Sequence, residues 1–394
     1  MLFANDTCLI AAKTDPNIAA QSINKDLQKI TSWAQKWKVT FNPKKSKDMI
    51  FSNKVLNNSP PVMFNNIFVD RVNCHKHLGI YLTSNLDWSI HVHETCLKAN
   101  RKLAVLRNVK FLHRNTIDLL YKLTCRSLID YGLVVYGSTL TQRNLDRLER
   151  IQYRAAKIAT GALHHSSKIK LNNDLGWESI KTRIDFLGLS LFHKINLGET
   201  RPLLTTFLPQ RNERIGRQLG DYKKLPNYGV KFSNSFFPYF SQKWNTLPRC
   251  FRYYDLVDFK FNLKKRLKPE KQKHFSLGSK LGNKLLTRLR VGRSHLNSHS
   301  FAVGRVESPN CLCHAPNETV SHYFLECFLY TVERMTLFDL VRQSVDNFDR
   351  LTKARQLEIL LFGYPDKEYS ETNKTLTYNV QNYILQTNRF KFRR

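Results

Sequence analysis

The feature that most constrains the fold is a change in hydrophobic pattern at Trp88. Before it, short apolar runs are separated by Asn-rich turns, as in PPVMFNNIFVDRV and HKHLGIYLT, which is typical of short strands in local antiparallel pairs. After it, apolar residues recur every three or four positions, which is typical of helices with one buried face. The pattern therefore predicts an α+β chain, with a mixed first segment and a mostly helical remainder.

Two helices are marked by end signals as well as by their period. Asp15 and Pro16 suit the N-cap and first position of a helix over TDPNIAAQSINKDLQKITSWAQKWKV, and Gly161 ends the helix over LTQRNLDRLERIQYRAAKIATGA. A stretch rich in Pro, Gly, Asn and basic residues predicts a linker. We expect four parts, over residues 1–90, 91–198, 199–235 (the linker) and 236–394.

The charge balance indicates a polyanionic partner. The 394 residues include 63 Lys and Arg against 31 Asp and Glu, a formal net charge of +32. A field of that size attracts nucleic acid, so we expect RNA and DNA as partners. The run KKRLKPEKQK supplies candidate nucleic-acid-binding residues, although such a run is more often a solvated face. These candidates are Lys264, Lys265, Arg266 and Lys268.

Neither a membrane span nor a signal peptide is expected. No apolar segment has the length of a span, and the first residues lack the basic and small-residue pattern of a secretory leader. The 8 cysteines are then expected to be free or metal-bound thiols in a reducing compartment. We therefore expect an intracellular protein, nuclear or cytoplasmic, with no membrane partner.

A Cys/His segment, CLCHAPNETVSHYFLECF, has the composition of a zinc site. It contains Cys311, Cys313, His322 and Cys327, and three thiolates with one imidazole suit tetrahedral Zn²⁺. The C-x-C spacing is tighter than the common C-x-x-C, and His314 is an alternative ligand. The competing interpretation is a group of buried thiols beside a core histidine. We expect a structural zinc site.

LFANDTCLIA, FNPKKSKDMIFS and HKHLGIYL follow one another within the first ninety residues, and their order resembles that in the palm of reverse transcriptases of non-LTR (LINE-type, Jockey-like) retrotransposons. LFANDTCLIA resembles motif C, usually F-A-D-D-T, and a tryptophan-containing helix follows it. FNPKKSKDMIFS resembles motif D, and HKHLGIYL resembles motif E. Further along, CRSLIDYGLVVYGS, FFPYFSQKWNTLP and the Cys/His segment are similar to later parts of these RNA-directed DNA polymerases. The resemblance implies a partial palm, a helical thumb-like region and a C-terminal module similar to a zinc knuckle.

The resemblance also implies a polymerase site in which carboxylates of motifs A and C hold Mg²⁺. At the motif C pair this chain has Asn5 and Asp6, so the position that the family uses as a metal ligand is a neutral amide. Lys45 matches the motif D lysine near the leaving pyrophosphate, where it suits a proton donor; the alternative is an exposed turn lysine. Motifs A and B precede motif C in the family, so we expect Met1 to be an internal residue that starts a truncated frame.

These features predict a truncated reverse transcriptase of a non-LTR retrotransposon that is catalytically inactive and retains nucleic-acid-binding surfaces. Asn5, Asp6 and Lys45 are then vestigial catalytic residues. The alternative is a vestigial or host-recruited nucleic-acid-binding protein that uses the basic surface and the zinc module. Salt-dependent binding that is lost when the Cys/His cluster is mutated would favour the alternative.

Overall fold

The computed structural model describes residues 2–3, 6–52, 60–212, 220–226, 228–267, 272–364 and 370–391. The chain divides into two compact units, Met1–Glu94 and Thr95–Arg394. Helices dominate and strands are few, which is consistent with the predicted α+β class. In the described ranges, no helix combines the length and the apolarity that crossing a bilayer requires.

The strands of the first unit are short and pair locally. They are β1 (Leu2–Phe3), β2 (Asp6–Thr7), β3 (Lys47–Asp48), β4 (Met63–Phe64), β5 (Ile67–Phe68), β6 (Asp70–Arg71), β7 (Cys74–His77) and β8 (Ile80–Thr83). β1–β2, β4–β5 and β7–β8 are antiparallel, whereas β3 and β6 are parallel. Asn65 and Asn66, with φ of 51° and 59°, form the turn between β4 and β5 and confirm the predicted Asn-rich hairpin.

The helices lie mostly in the second unit. They are α1 (Pro16–Lys36), α2 (Ser89–Asn108), α3 (Arg114–Tyr121), α4 (Ser127–Asp130), α5 (Leu133–Tyr136), α6 (Gln142–Thr160), α7 (Lys168–Leu175), α8 (Ile180–Asn196), α9 (Pro202–Thr205), α10 (Val230–Ser233), α11 (Phe236–Asn245), α12 (Leu256–Leu267), α13 (Lys280–Arg290), α14 (Asn297–Ala302), α15 (Thr331–Arg342), α16 (Lys353–Phe362) and α17 (Ser370–Gln386). Two segments, Lys122–Arg126 and His322–Glu326, are π-helical.

Two predicted apolar faces differ from the observed ones. On α1, Trp33 and Trp37 are 50% and 62% exposed, so the face predicted to be buried is covered only in part. On and just after α3, Leu119 and Leu123 are 56% and 63% exposed, although their spacing places them on an apolar face. The reason on α3 is that charged side chains, among them Arg114, occupy the buried positions.

In the second unit, α8 packs against α11 and α12 around stacked rings. The ring centroid of His193 on α8 lies 4.1 Å from that of Phe259 and 5.5 Å from that of Trp244. Tyr222, which falls in the stretch predicted to be a linker, is buried and lies with its ring 5.5 Å from that of Phe192. The division of the chain into four parts stays a prediction.

A buried ion network joins α3, α7 and α13. Asp174 accepts hydrogen bonds from Arg290 Nε at 2.8 Å, and its Oδ2 lies 2.6 Å from Arg114 Nη2. The Arg114 Nη1 atom also donates to the Phe275 carbonyl at 3.2 Å, and the Thr287 hydroxyl donates to Asp174 at 3.3 Å. Residues far apart in the sequence are therefore held together through one buried carboxylate.

The last part of the second unit has its own apolar core, in which α17 packs against α13, α15 and α16. The Tyr383 hydroxyl on α17 donates to the Tyr323 carbonyl at 2.6 Å, and the hydroxyls of Tyr323 and Thr387 are 2.7 Å apart. The three cysteines of the Cys/His segment belong to this core. They are Cys311, Cys313 and Cys327.

Candidate metal centre

The four predicted ligands converge. One ligand atom from each of Cys311, Cys313, His322 and Cys327 lies within 4.8 Å of the others, and all four side chains are buried. The Sγ atoms of Cys311 and Cys327 are 3.6 Å apart, and Cys313 Sγ lies 3.1 Å from His322 Nε2. Sulfurs about 2.3 Å from a tetrahedral Zn²⁺ are separated by roughly 3.8 Å, so the donor set and its spacing fit that ion.

The first pair of ligands is set by a tight turn. The backbone N–H of Cys311 donates to the Ala315 carbonyl, and that of His314 donates to the Cys311 carbonyl, both at 2.9 Å. The turn closes because His314 adopts the left-handed region, with φ of 67°. The His314 side chain is exposed and does not join the group of four ligands, so the structure favours His322 over the alternative.

The second pair comes from the π-helical segment His322–Glu326. The His322 N–H donates to the Thr319 hydroxyl at 3.1 Å, and the Cys327 N–H donates to the His322 carbonyl at 2.8 Å. Arg334 on α15 donates to the Cys327 carbonyl at 2.6 Å. The π-helical segment therefore brings His322 and Cys327 within reach of one site, with a wider turn than that of an α-helix.

Backbone N–H groups favour the thiolate form of the cysteines. Burial raises the pKa of the Cys311 thiol, and a hydrogen bond from the Cys313 N–H opposes that effect. Burial likewise raises the pKa of Cys327 to about 12 against a hydrogen bond from the Leu329 N–H. For Cys313, hydrogen bonds, including one from the Ala315 N–H, outweigh burial and lower the pKa. Without metal, Cys311 and Cys327 are protonated at neutral pH, so zinc binding would release protons.

Two carboxylates, those of Glu326 and Glu318, lie near the ligands. Glu326 Oε2 lies 3.8 Å from His322 Nδ1, and Lys353 Nζ lies 2.9 Å from Glu326 Oε1. Glu318 is buried, its Oε1 lies 4.0 Å from Cys311 Sγ, and it accepts a hydrogen bond from Arg389 Nε at 2.6 Å. A carboxylate beside the free ring nitrogen fixes the orientation of a metal-binding histidine.

Sequence reasoning did not identify Glu318 and Arg389. Their ion pair ties the segment between the two ligand pairs to the residues after α17. The Glu318 carboxylate also accepts from the Asn297 N–H at 2.6 Å, which connects the same segment to the start of α14. The only local signal is a lone acidic residue between Cys313 and His322.

The other predicted site residues lie elsewhere. Lys264, Lys265 and Arg266 are exposed on α12, and Lys268 lies outside the described residues. Lys45 is exposed at the end of a 3₁₀ turn, and it forms no ion pair with another described residue. Asn5 lies outside the described residues, and Asp6 begins β2, with nothing described of its side chain.

Curated RNA-directed DNA polymerases are similar to part of this chain. A probable polymerase from transposon X-element of Drosophila melanogaster is 27% identical over 179 residues, which are 44% of this chain and 19% of that protein. A probable polymerase from transposon BS of the same organism is 23% identical over 188 residues, 46% of this chain and 20% of that protein. A polymerase from mobile element jockey of Drosophila funebris is 24% identical over 166 residues, 41% of this chain and 18% of that protein.

The matched part spans about a fifth of the length of these relatives. No family model matches the chain, and no solved structure matches it. The printed names of the three relatives agree with the expected Jockey-like class of RNA-directed DNA polymerases. Over about 45% of its length, the chain is therefore similar to RNA-directed DNA polymerases of non-LTR retrotransposons.

Proposed function

We propose that this chain is a nucleic-acid-binding part of a non-LTR retrotransposon reverse transcriptase, and that Cys311, Cys313, His322 and Cys327 hold a structural Zn²⁺. The observation that carries the proposal is the convergence of four buried ligand atoms within 4.8 Å. In this assignment, residues 1–90 are part of a palm, residues 91–198 are thumb-like, and residues 236–394 are a basic C-terminal domain. The net charge of +32 and the polymerase names of the relatives support the nucleic-acid partner.

The zinc is structural because the protein supplies all four ligands. Catalytic zinc sites keep one position open for water or substrate, whereas structural sites are closed. The exposed fractions of Cys311, Cys313, His322 and Cys327 are 4%, 8%, 8% and 0%, which leaves little access for a substrate. The ion would then stabilise the C-terminal core that surrounds the cysteines.

The zinc proposal is tested by the metal content of the purified full chain. We expect about one zinc ion per chain and a loss of zinc in the Cys311→Ser and His322→Gln variants. Cys250→Ser is the matched control, because Cys250 is exposed and lies outside the cluster. A zinc-free wild-type chain, together with a Cys311→Ser variant of unchanged melting temperature, would contradict the proposal.

The chain is proposed not to extend primers. At the position that the family uses as a metal ligand, Asn5 supplies a neutral amide in place of a carboxylate, and a hard divalent cation binds that oxygen less strongly. Primer extension on an RNA template with Mg²⁺ or Mn²⁺ tests this, and template-dependent synthesis by the wild-type chain would overturn it. The Asn5→Asp variant reports whether the missing charge is the lesion.

The neutral amide of Asn5 also favours the alternative function, in which the chain keeps nucleic-acid binding without catalysis. Such a chain would be a vestigial or host-recruited nucleic-acid-binding protein. Fluorescence anisotropy with labelled RNA and DNA of the same sequence measures that binding over a range of salt concentrations. We expect the affinity to fall linearly with salt on a double-logarithmic plot, because Lys and Arg displace counterions from phosphates. Affinity that does not respond to salt would exclude a binding mode based on the basic surface.

A further inference from the structure

Five basic side chains gather around α13 and α14, and we name them the basic cluster. Lys284 and Arg288 lie one turn apart on α13, and His295 follows the turn at Gly292. His299 lies on α14, and Arg305 comes three residues after that helix ends. In the described part of the chain, no ion pair with a carboxylate is formed by Lys284, Arg288, His299 or Arg305. The members are Lys284, Arg288, His295, His299 and Arg305.

Arg288 is a buried member of the cluster, and only part of its hydrogen-bonding capacity is used. It is 6% exposed, and its Nε donates to the Gly161 carbonyl at 2.9 Å. Its Nη1 is buried and has no hydrogen-bond partner among the described residues. Arg290, two positions along the same helix, is instead paired with Asp174. The described residues therefore leave one donor group of Arg288 available for a further acceptor.

His299 has a similar unsatisfied group. Its Nδ1 lies 2.6 Å from the Ser294 carbonyl, so that nitrogen carries the proton and donates. Its Nε2 is buried and lacks a hydrogen-bond partner among the described residues. Protonation of Nε2 would give this ring a second donor.

Mutual repulsion within the basic cluster is strong. Burial, together with the charges of Arg288, Arg305, Lys284 and His299, lowers the pKa of His295 to about 4. Burial and the charge of Arg305 lower the pKa of Arg288. A bound anion would relieve this repulsion, since it supplies the negative charge that the surrounding side chains do not.

We propose that the basic cluster binds a phosphate group of a nucleic-acid backbone. This proposal rests on the proposed function, and it adds the place at which the nucleic-acid backbone contacts the chain. Guanidinium, ammonium and imidazolium groups are the donors that protein sites use for phosphate oxygens. Gly161 keeps Lys284 close to Arg288, because a Cβ at position 161 would lie 2.8 Å from Lys284 Cγ.

The basic cluster is tied to the candidate metal centre. Arg389 Nη2 donates to the His295 carbonyl at 3.3 Å while it pairs with Glu318, and Asn297 also bonds to Glu318. Glu318 in turn lies against Cys311. Glu318 and Arg389 therefore join the segment between the two ligand pairs to the loop that carries His295.

The test compares two double variants of the full chain with the same loss of charge. Lys284→Gln with Arg305→Gln removes two members of the basic cluster that are half-buried and exposed, so the fold tolerates the change. Arg143→Gln with Arg350→Gln removes two exposed cations outside the cluster. Fluorescence anisotropy with labelled RNA and DNA gives the salt slope, which is the change of log affinity with log salt concentration. NMR of the histidine side chains, recorded with added inorganic phosphate, follows His295. Its signals are assigned from a His295→Gln variant.

We expect phosphate to shift the wild-type His295 signals and to raise its pKa, and the cluster variant to lose this response. We also expect the cluster variant to lower the salt slope by about 1 to 2, and the control variant by clearly less. Equal effects of the two variants on the salt slope would overturn the proposed phosphate site. Wild-type His295 NMR signals that do not change when phosphate is added would also overturn it. A wild-type chain that responds to phosphate and binds neither RNA nor DNA would refute the proposed function and the nucleic-acid source, and would leave a site for free phosphate.

Discussion

At Asp174, one buried carboxylate forms ion pairs with two buried guanidinium groups. The side chains of Asp174 and Arg290 are 4% and 2% exposed, and that of Arg114 is 5% exposed. Burial raises the pKa of Asp174, but Arg114 and Arg290 outweigh burial and hold the pKa below its usual value. The carboxylate is therefore ionised in the folded protein, where its negative charge stabilises the two buried guanidinium groups.

We expect Asp174→Asn to destabilise the second unit by about 3 to 5 kcal/mol, because it leaves two buried cations without a counter-charge. Urea unfolding followed by circular dichroism measures the loss. Asp339→Asn is the matched control, since the pair that Asp339 forms with Arg342 is exposed and its removal should leave the unfolding midpoint close to wild type. Similar effects of the two substitutions would contradict the role given to Asp174.

The same network predicts a dependence of stability on pH. Because the pKa of Asp174 is lowered on folding, its contribution is present above the ordinary carboxyl value of about 4. That contribution is lost as the pH falls through the lowered pKa of the folded state. Wild-type stability should decline below about pH 4 more steeply than that of Asp174→Asn, and parallel profiles would exclude this explanation.

At the scale of elements, helix ends were the most predictable feature because their signals are local. Asp15 caps α1 by accepting from the Asn17 N–H at 2.8 Å, and Pro16 is its first residue. Gly161 ends α6 in the left-handed region, with φ of 64°. The chemistry of one or two neighbouring residues decides such an end, so the sequence is sufficient to predict it.

A pair of glycine substitutions separates backbone strain from packing at the end of α6. Gly161 and Gly198 both have positive φ, of 64° and 72°, so alanine at either position is strained by about 1 to 2 kcal/mol. At Gly198 nothing lies within 4 Å of the added Cβ, whereas at Gly161 it would meet Lys284. Chemical denaturation should therefore show a larger loss for Gly161→Ala than for Gly198→Ala, and the reverse order would refute the contact with Lys284.

The buried faces of helices were predicted less well, for a long-range reason. Around α3 the sequence places leucines on the apolar face, yet Leu119 and Leu123 are exposed. Arg114 and Asp118 are buried instead, and Asp118 accepts a hydrogen bond from the Trp177 indole N–H at 2.7 Å. A charged residue looks like a surface residue until its partner is known, and the partners here are some sixty positions away.

At the scale of the molecule, the two units differ in how much apolar surface they bury. In the first unit, most of the described strands are only two residues long, and Trp37 and Phe68 are 62% and 64% exposed. Its buried apolar side chains are Ala20, Ala34, Val62, Phe64, Trp88 and Val92. In the second unit, helices such as α8 and α17 are buried along much of their length.

This difference predicts the order of hydrogen exchange. Amides of α1 and β4–β5 should exchange before those of α8 and α17, because opening an element with few buried apolar contacts requires less free energy. Exchange followed by mass spectrometry on the full chain compares all four elements in one sample. Protection of α1 that equals that of α17 would show that the first unit is stabilised by contacts other than its own core.

The candidate metal centre was the most predictable part of the site, since ligand type and spacing suffice to nominate Cys311, Cys313, His322 and Cys327. The basic cluster was not predicted. Its members are spread from Lys284 to Arg305 in a chain with 63 Lys and Arg, and only the fold shows which of them meet. Sequence therefore identifies residues whose chemistry is rare, whereas common residues acquire a role through tertiary contact.

The ion network at Asp174 also has a consequence for synthesis on the ribosome. Arg290 follows Asp174 by 116 residues, so at about 5 to 20 residues per second it is made roughly 6 to 23 s later. Until then, Asp174 has Arg114 as a partner, but α13 is not available to enclose the pair. The packing of α13 against α6, and with it the closure of the network around Asp174, is therefore completed late in translation.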